Sequence, residues 1–361
     1  MIIPRLHINF SLQYQFAFWK GIEQTPQAGE YLLNHARTGI LMALRATLPA
    51  GGRVGVIAYN CHTVANAIEQ SGCTPVFVDV TDDLHVDLQH LASLHLDALV
   101  LTNLFGIHND IDAVRQALSN AIIIVDNAHG YGLPAEGDFT VYSINQGKLP
   151  ALGAGGLLWV NSDQYQASIQ QQYAALPSYS KSQELKLFIT MLAKAWMHIP
   201  WIYGLITRRM KKHRGKATCR ETVELRRMAK GVSRMYQQAL PTIAEQIQQQ
   251  RANAQQMADT LLSKGLAEQV WYGDNAFMLI ARTKDIIGLS KYLTARGVES
   301  ATHFARAIEW AKQFGYTEGQ CPMAERLTKE LIMIPTYVPL AQVYRTTRSA
   351  YSLEFKVKEF I

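Results

Sequence analysis

At 361 residues the chain is long enough for about two domains of roughly 100–200 residues each. With 48% apolar and 18% charged residues it can bury a sizeable core, which excludes intrinsic disorder as a global description. Lys plus Arg total 35 against 29 Asp plus Glu, a net +6 too mild and too unevenly spread to indicate a nucleic-acid partner.

Along the first 160 residues, helix-like and strand-like segments alternate. Ile40, Leu41 and Leu44 recur at helical spacing through residues 37–47, with Leu48 next in the series, and Val54–Ala58 reads as a short buried strand. A helix over Thr63–Gln70 ends at Gly72, and Pro75–Val80 is the next strand. Then come a helix near Asp87–Ser93, a strand at Ala98–Thr102, a helix from Asp110 to Leu118 and a strand at Ala121–Asp126. Short, continuously apolar strands separated by helices predict an α/β fold, with a parallel sheet covered on both faces.

From Asp138 the pattern changes to two close strands, Phe139–Ser143 and Gly156–Asn161, around the loop INQGKLPALGAG. Residues 163–235 read as mostly helical. A long polar helix over Thr242–Ser263 carries Ile243, Ile247, Ala254, Met257 and Leu261 along one face. Beyond it lie a strand at Ala276–Ala281 and helices at Ile286–Arg296 and Met323–Glu330. The division between a large domain (1–240) and a smaller α+β domain (241–361) is placed near residue 240.

The aromatic stretch Leu187–Ile206 is followed by Arg208, Arg209, Lys211, Lys212, Arg214 and Lys216. Lys194, His198 and Pro200 interrupt it, which argues against a spanning helix. Residues 187–216 are expected to present aromatic residues and a basic edge to a partner subunit or a membrane surface. Cys61, Cys73, Cys219 and Cys321 include no C-x-x-C pair, so neither a disulfide scaffold nor a metal site is expected. No charged and apolar leader precedes residue 16, so no signal peptide is expected either. A cytoplasmic location, peripheral to a membrane if 187–216 docks there, fits both readings.

Three elements carry chemistry. Asp126 ends an apolar strand, so its carboxylate emerges at the sheet edge where ligands bind in such folds. Lys148 lies before a Gly-rich loop. Thr38 and Gly39 open a helix whose start is a ready phosphate site, and Ser143, five residues before Lys148, offers another hydroxyl. Taken singly, these are a turn residue, a surface lysine and a helix cap. Together an acid, an amine and a phosphate cradle are what a pyridoxal phosphate site needs.

These segments resemble the DegT/DnrJ/StrS group of fold-type-I aminotransferases, known from amino-sugar biosynthesis. The resemblance runs through HARTGI (35–40), Ala65-Asn66-Ala67-Ile68, TPVFVDV (74–80), LFGIHNDIDAV (104–114), VDNAHGYG (125–132) and YSINQGKLPALGAGG (142–156), with FGYTEGQCPMAERLTKELIMIPTY (314–337) near the end. It implies that Lys148 carries the cofactor covalently, that Asp126 pairs with its pyridine nitrogen and that His129 lies beside its ring. It also implies that Thr38, Gly39 and Ser143 receive its phosphate. Some relatives that dehydrate sugars carry His in place of this lysine, so Lys148 points to amino transfer.

Departures from the group's pattern are specific. Cys61 stands where an aromatic residue usually stacks on the cofactor, leaving Tyr59 or His62 to cover that face. Ala154-Gly155-Gly156 replaces a usual Glu-Gly-Gly. The region that reaches a neighbouring subunit's cofactor is matched loosely by Arg227-Met228 or Arg234-Met235, and His303 resembles a substrate-facing histidine. The implied activity is amino transfer from an amino acid, by resemblance glutamate, to a keto sugar, in a homodimer; the sugar is expected to be nucleotide-linked. A non-catalytic member of the fold, and an enzyme for a non-sugar or lipid-linked ketone, remain open alternatives.

Overall fold

The computed structural model describes residues 2–209, 220–302 and 304–337. In chain order the strands are β1 (Glu30–Leu33), β2 (Arg53–Ile57), β3 (Thr74–Val78), β4 (Ala98–Thr102), β5 (Ile122–Asn127), β6 (Phe139–Ser143), β7 (Gly156–Val160), β8 (Gln269–Trp271), β9 (Met278–Arg282) and β10 (Leu331–Pro335). Among the described residues the first seven form one sheet in the order β1-β7-β6-β5-β4-β2-β3. Pairings from β3 across to β6 are parallel, while β7 runs antiparallel to both β6 and β1.

The expected α/β architecture is present, and burial explains its sequence signature. All five residues of β4 and of β6 are buried, because helices lie on both sheet faces. The crossovers use the helices His62–Gln70, Leu88–Ser93 and Ile111–Ala117. Asp87 and Asp110 cap the last two, each carboxylate accepting two backbone N–H groups of its helix's first turn. The helix Ala36–Thr47 lies tightly on the sheet because Gly39 has no side chain. A Cβ there would stand 2.8 Å from Val141 Cγ1 and 3.2 Å from Leu158 Cβ.

The smaller antiparallel sheet has the order β10-β9-β8. Met257 and Leu261 of the helix Ile243–Ser263, and Leu289 and Leu293 of the helix Ile286–Ala295, pack with Leu279 and Ile332 of this sheet. Ile3 joins that cluster, its amide bonding Gly297 O at 2.7 Å. The first residues, assigned from the sequence to the large domain, thus pack with the smaller sheet.

The segment 163–235 supplies helices at Gln166–Ala175, Lys181–Met197, Pro200–Arg209 and Lys230–Ala239. None of the described helices is long and apolar enough to cross a membrane. The side chains of the basic run 208–216, and His303, lie outside the described residues. The helices Leu12–Lys20 and Ala307–Lys312 and the strands β1, β8 and β10 were not anticipated from local pattern.

Candidate active site

Asp126 stands at the C-terminal edge of the sheet, 3% exposed and in register with Thr102 of β4. Its carboxylate accepts the Ala128 amide at 3.0 Å and the Thr102 hydroxyl at 3.3 Å. The same hydroxyl accepts Asn60 Nδ2 at 2.8 Å, so a polar chain runs along the strand ends from Asn60 through Thr102 to Asp126. Burial raises the Asp126 pKa, opposed by the Ala128 amide, the charge of Lys148 and Thr102.

Lys148 lies in the connection between β6 and β7. The N-terminal stretch pins this connection from outside, with Gly147 N bonding His7 O at 2.7 Å and Asn9 N bonding Ala151 O at 2.7 Å. The Lys148 ammonium lies 5.7 Å from the centroid of the Phe277 ring and has no ion-pair partner among the described residues. Burial, helped by the charge of Arg5, lowers its pKa to about 8 against the pull of Cys61 and Asp126. A partly buried lysine with accessible free base and no ion pair among the described residues is a chemically prepared amine.

His129 stacks between aromatic rings, with Phe277 at 5.0 Å and Phe105 at 5.6 Å, and its Nδ1 accepts the Phe105 amide at 3.3 Å. Phe105 holds φ at 55°, a strained conformation for a bulky residue next to the site. Tyr59, 2% exposed, meets Phe304 edge-on at 5.4 Å and Phe105 at 6.4 Å. From the segment before β9, Asn275 Nδ2 bonds the His129 and Tyr131 carbonyls at 2.8 and 3.1 Å, fastening the smaller sheet's leading loop to the site.

The start of the helix Ala36–Thr47 lies beside Ser143. Ser143 pairs with Gly156 across the β6–β7 ladder, and a Cβ on Gly156 would collide with Ala36 N and the His35 carbonyl carbon. Ser143 is 7% exposed, and its hydroxyl has no partner among the described residues. The helix begins two residues before Thr38, however, and this turns both residues singled out from the sequence inward. The Thr38 hydroxyl bonds Asn34 Oδ1 at 2.8 Å, and Gly39 faces Val141 and Leu158. The structure brings Asp126, His129, Ser143 and Lys148 to one sheet edge; Thr38 and Gly39 support the helix from behind.

A family model for DegT/DnrJ/EryC1/StrS aminotransferases matches residues 32–344. The chain belongs to that family. The same fold is found in the sugar aminotransferase CalS13 from Micromonospora echinospora, with a TM-score of 0.69 at 17% identity over 97% of this chain and 100% of that one. DesI, determined in the presence of its TDP-sugar product, matches with a TM-score of 0.70 at 15% identity over 96% and 91%. The E. coli GDP-4-keto-6-deoxy-D-mannose-3-dehydratase with bound hydrated PLP matches at 0.64 and 17% over 93% and 89%.

This aminotransferase is therefore a pyridoxal-phosphate enzyme, and its residues fit that group. A lysine without an ion-pair partner among the described residues, a carboxylate anchored from behind, a serine hydroxyl without a partner among them and the close approach at Gly156 are chemically compatible with the parts of that cofactor. Cys61 caps the helix His62–Gln70, and its sulfur accepts the Thr63 hydroxyl at 3.1 Å. Burial pushes the Cys61 thiol up, but hydrogen bonds from His62 and Thr63 outweigh it and leave the pKa lowered. The His62 pKa is raised, chiefly by the Cys61 contact, and its ring meets Trp310 at 5.1 Å.

Arg227 and Arg234 are engaged within their own chain. Arg227 bonds the Tyr173 and Ala174 carbonyls at 3.3 and 2.8 Å, and Arg234 bonds Glu23 at 2.9 Å and the Phe18 carbonyl at 3.2 Å.

Proposed function

We propose that this aminotransferase moves an amino group from an amino acid, by resemblance glutamate, to a nucleotide-linked keto sugar in amino-sugar or polysaccharide biosynthesis. The observation that carries the reading is Lys148, an amine with a pKa of about 8 and no ion pair among the described residues, beside the buried Asp126. Relatives of the same fold support the substrate class: CalS13 is a sugar aminotransferase, and DesI was determined with a TDP-sugar product.

Each residue has a physical task. Bound pyridoxal phosphate supplies the electron sink needed when a Cα–H bond breaks. Lys148 would hold the cofactor covalently and take up or give a proton at its Nζ; a pKa of about 8 makes both its forms accessible. Asp126 holds a proton at the pyridine nitrogen, its own position set by Thr102 and Ala128. Ser143 and the start of the helix Ala36–Thr47 receive the phosphate, with Thr38 and Gly39 fixing where that helix starts. Phe277 and Phe304 keep water from the reacting amine, and His129 orients the ring between them.

The active unit in this reading is a cytoplasmic homodimer, with a large domain at 1–240 and a smaller one at 241–361. We assign a separate role to an exposed apolar face on which Leu12, Phe16 and Trp19 form one stripe and Leu185, Ile189 and Trp196 another. Phe188 joins the two helices by touching Phe18 and Trp19 at 5.3 Å each. Exposed tryptophans flanked by Lys20, Lys181 and Lys186, with the basic sequence at 208–216 following, match an anionic membrane surface.

The deciding experiment loads the protein with pyridoxal phosphate, converts it with glutamate and screens keto-sugar nucleotides by the return of the original absorbance. Conversion by glutamate followed by reoxidation with a sugar substrate supports the reading. Failure of every amino donor to convert the cofactor removes it and favours the non-catalytic alternative.

A further inference from the structure

Arg37 is the second residue of the helix Ala36–Thr47. A guanidinium carries five N–H donors in a fixed fork, and in a folded protein these are normally occupied. Here the Nε is shut off from solvent without a partner, and the side chain makes no hydrogen bond or ion pair among the described residues. Its charge is felt by His35 on one side and His62 on the other. Burial and Arg37 together push the His35 pKa down to about 4, so at neutral pH His35 is uncharged and Arg37 is the permanent cation.

Carboxylates are near but committed elsewhere or out of reach. Glu224, which acts on His35, is bonded to Arg226, and Glu221, which acts on His62, forms no ion pair with Arg37. Arg37 thus stands at the helix end where its own amide and that of Ala36 lack intrahelical acceptors, while Thr38 N bonds His35 O at 3.1 Å. Gly156 brings backbone against Ala36 at this point, and its ladder partner Ser143 offers an unpartnered hydroxyl. The helix-start amides, the Ser143 hydroxyl and the unpartnered Arg37 Nε belong to neighbouring stretches of backbone, and among the described residues no carboxylate pairs with Arg37.

We propose that Arg37 is a phosphoryl ligand: its guanidinium completes, from within the same chain, the anion site made by the helix start and Ser143, and the group it takes is the cofactor's phosphate. The assignment rests on the pyridoxal-phosphate reading. A nucleotide-linked substrate brings a diphosphate of the same chemistry, so the test separates the two sources.

The cofactor-free protein and its Arg37→Gln, Arg37→Lys and Ser143→Ala variants are titrated with pyridoxal phosphate, with pyridoxal and with UDP, followed by absorbance and tryptophan fluorescence. Loss of a charge-assisted contact predicts that Arg37→Gln weakens pyridoxal phosphate binding on the order of 10- to 100-fold. Pyridoxal binding, which also reports that the variant is folded, stays within about twofold because no phosphate is involved. Arg37→Lys falls between, since an ammonium restores the charge without the fork. Inorganic phosphate competes with the cofactor in the parent protein and loses that effect in Arg37→Gln. Equal pyridoxal phosphate affinity in Arg37→Gln and the parent overturns the assignment alone, as does a loss confined to UDP, which would place the substrate's diphosphate there. A parent protein that takes up neither pyridoxal phosphate nor pyridoxal overturns the cofactor reading and the assignment with it.

Discussion

The Lys148 ammonium and the Phe277 ring lie 5.7 Å apart, and they come from opposite parts of the chain: the loop between β6 and β7, and the residue just before β9. A ring face attracts the ammonium and not the neutral amine, so this contact favours the charged form. Burial works against it and prevails, setting the pKa at about 8. This amine is thereby tuned by a residue whose position depends on how the smaller sheet seats against the larger one.

One consequence is measurable without cofactor. The Lys148 pKa falls from 10.5 to about 8 on folding, so between those values the unfolded chain binds more protons and stability rises with pH. Below about 8 this group lowers the stability of the folded state, by about 3 kcal/mol at most. Lys148→Met is therefore expected to stabilise the cofactor-free protein at pH 7, with the advantage shrinking through pH 8 to 10.5. Urea unfolding at both ends of that range checks this; equal stability at pH 7 refutes it.

Covalent attachment gives the second expectation. Borohydride treatment of the loaded protein should leave a cofactor adduct that maps by mass spectrometry to Lys148. Lys148→Ala should fold, retain cofactor non-covalently and lose both the adduct and essentially all turnover. Asp126→Asn should keep the adduct and lose most activity, because an amide cannot hold the ring proton. An adduct on any other lysine contradicts the assignment.

The Cys61 thiol should alkylate with iodoacetamide at lower pH than an ordinary thiol, since hydrogen bonds from His62 and Thr63 favour its thiolate. His62→Gln should move that reactivity to higher pH. Whichever of Tyr59 and His62 covers the cofactor should, when replaced by Ala, weaken cofactor retention about 2- to 10-fold, the size of an aromatic contact of about 0.5–1.5 kcal/mol. Unchanged retention in both variants would show that neither ring covers it.

For the apolar face, flotation with phosphatidylserine vesicles at low salt should carry the protein, and high salt should release it in part. Phe16→Ser combined with Trp196→Ser should abolish flotation while leaving the oligomeric state, measured by light scattering, unchanged. A variant that instead turns monomeric identifies the face as a subunit interface.

Much of this was legible in the sequence because it rests on local causes. β4 and β5 are covered on both faces, so their residues form unbroken apolar runs, and Asp126 at the end of one of them marks the ligand edge. β1 and β10 escaped notice because what makes them strands is distant: Leu33 pairs with Gly156 and Leu331 with Arg282. Thr38 and Gly39 look like a phosphate-binding helix start in the one-letter string. A shift of two residues in where the helix begins sends the hydroxyl to Asn34 and the glycine to the sheet. Arg37 carries no local signal, since the isolation of its Nε depends on packing that no short window contains.

The close approach at Gly156 also constrains how the site moves. With no side chain as a spacer, the strand that follows the Lys148 loop rests directly on the backbone that opens the helix Ala36–Thr47. The Lys148 loop and the helix start therefore belong to a single rigid block, and neither can shift without the other. Gly273 meets Gly106 with the same absence of slack, and Asn275 ties the segment before β9 to the His129 carbonyl. The rings of Tyr59, Phe277 and Phe304 are each buried beside these seams, so a substitution that changes ring size there alters the packing around Phe304 and His129 while the backbone frame stays fixed.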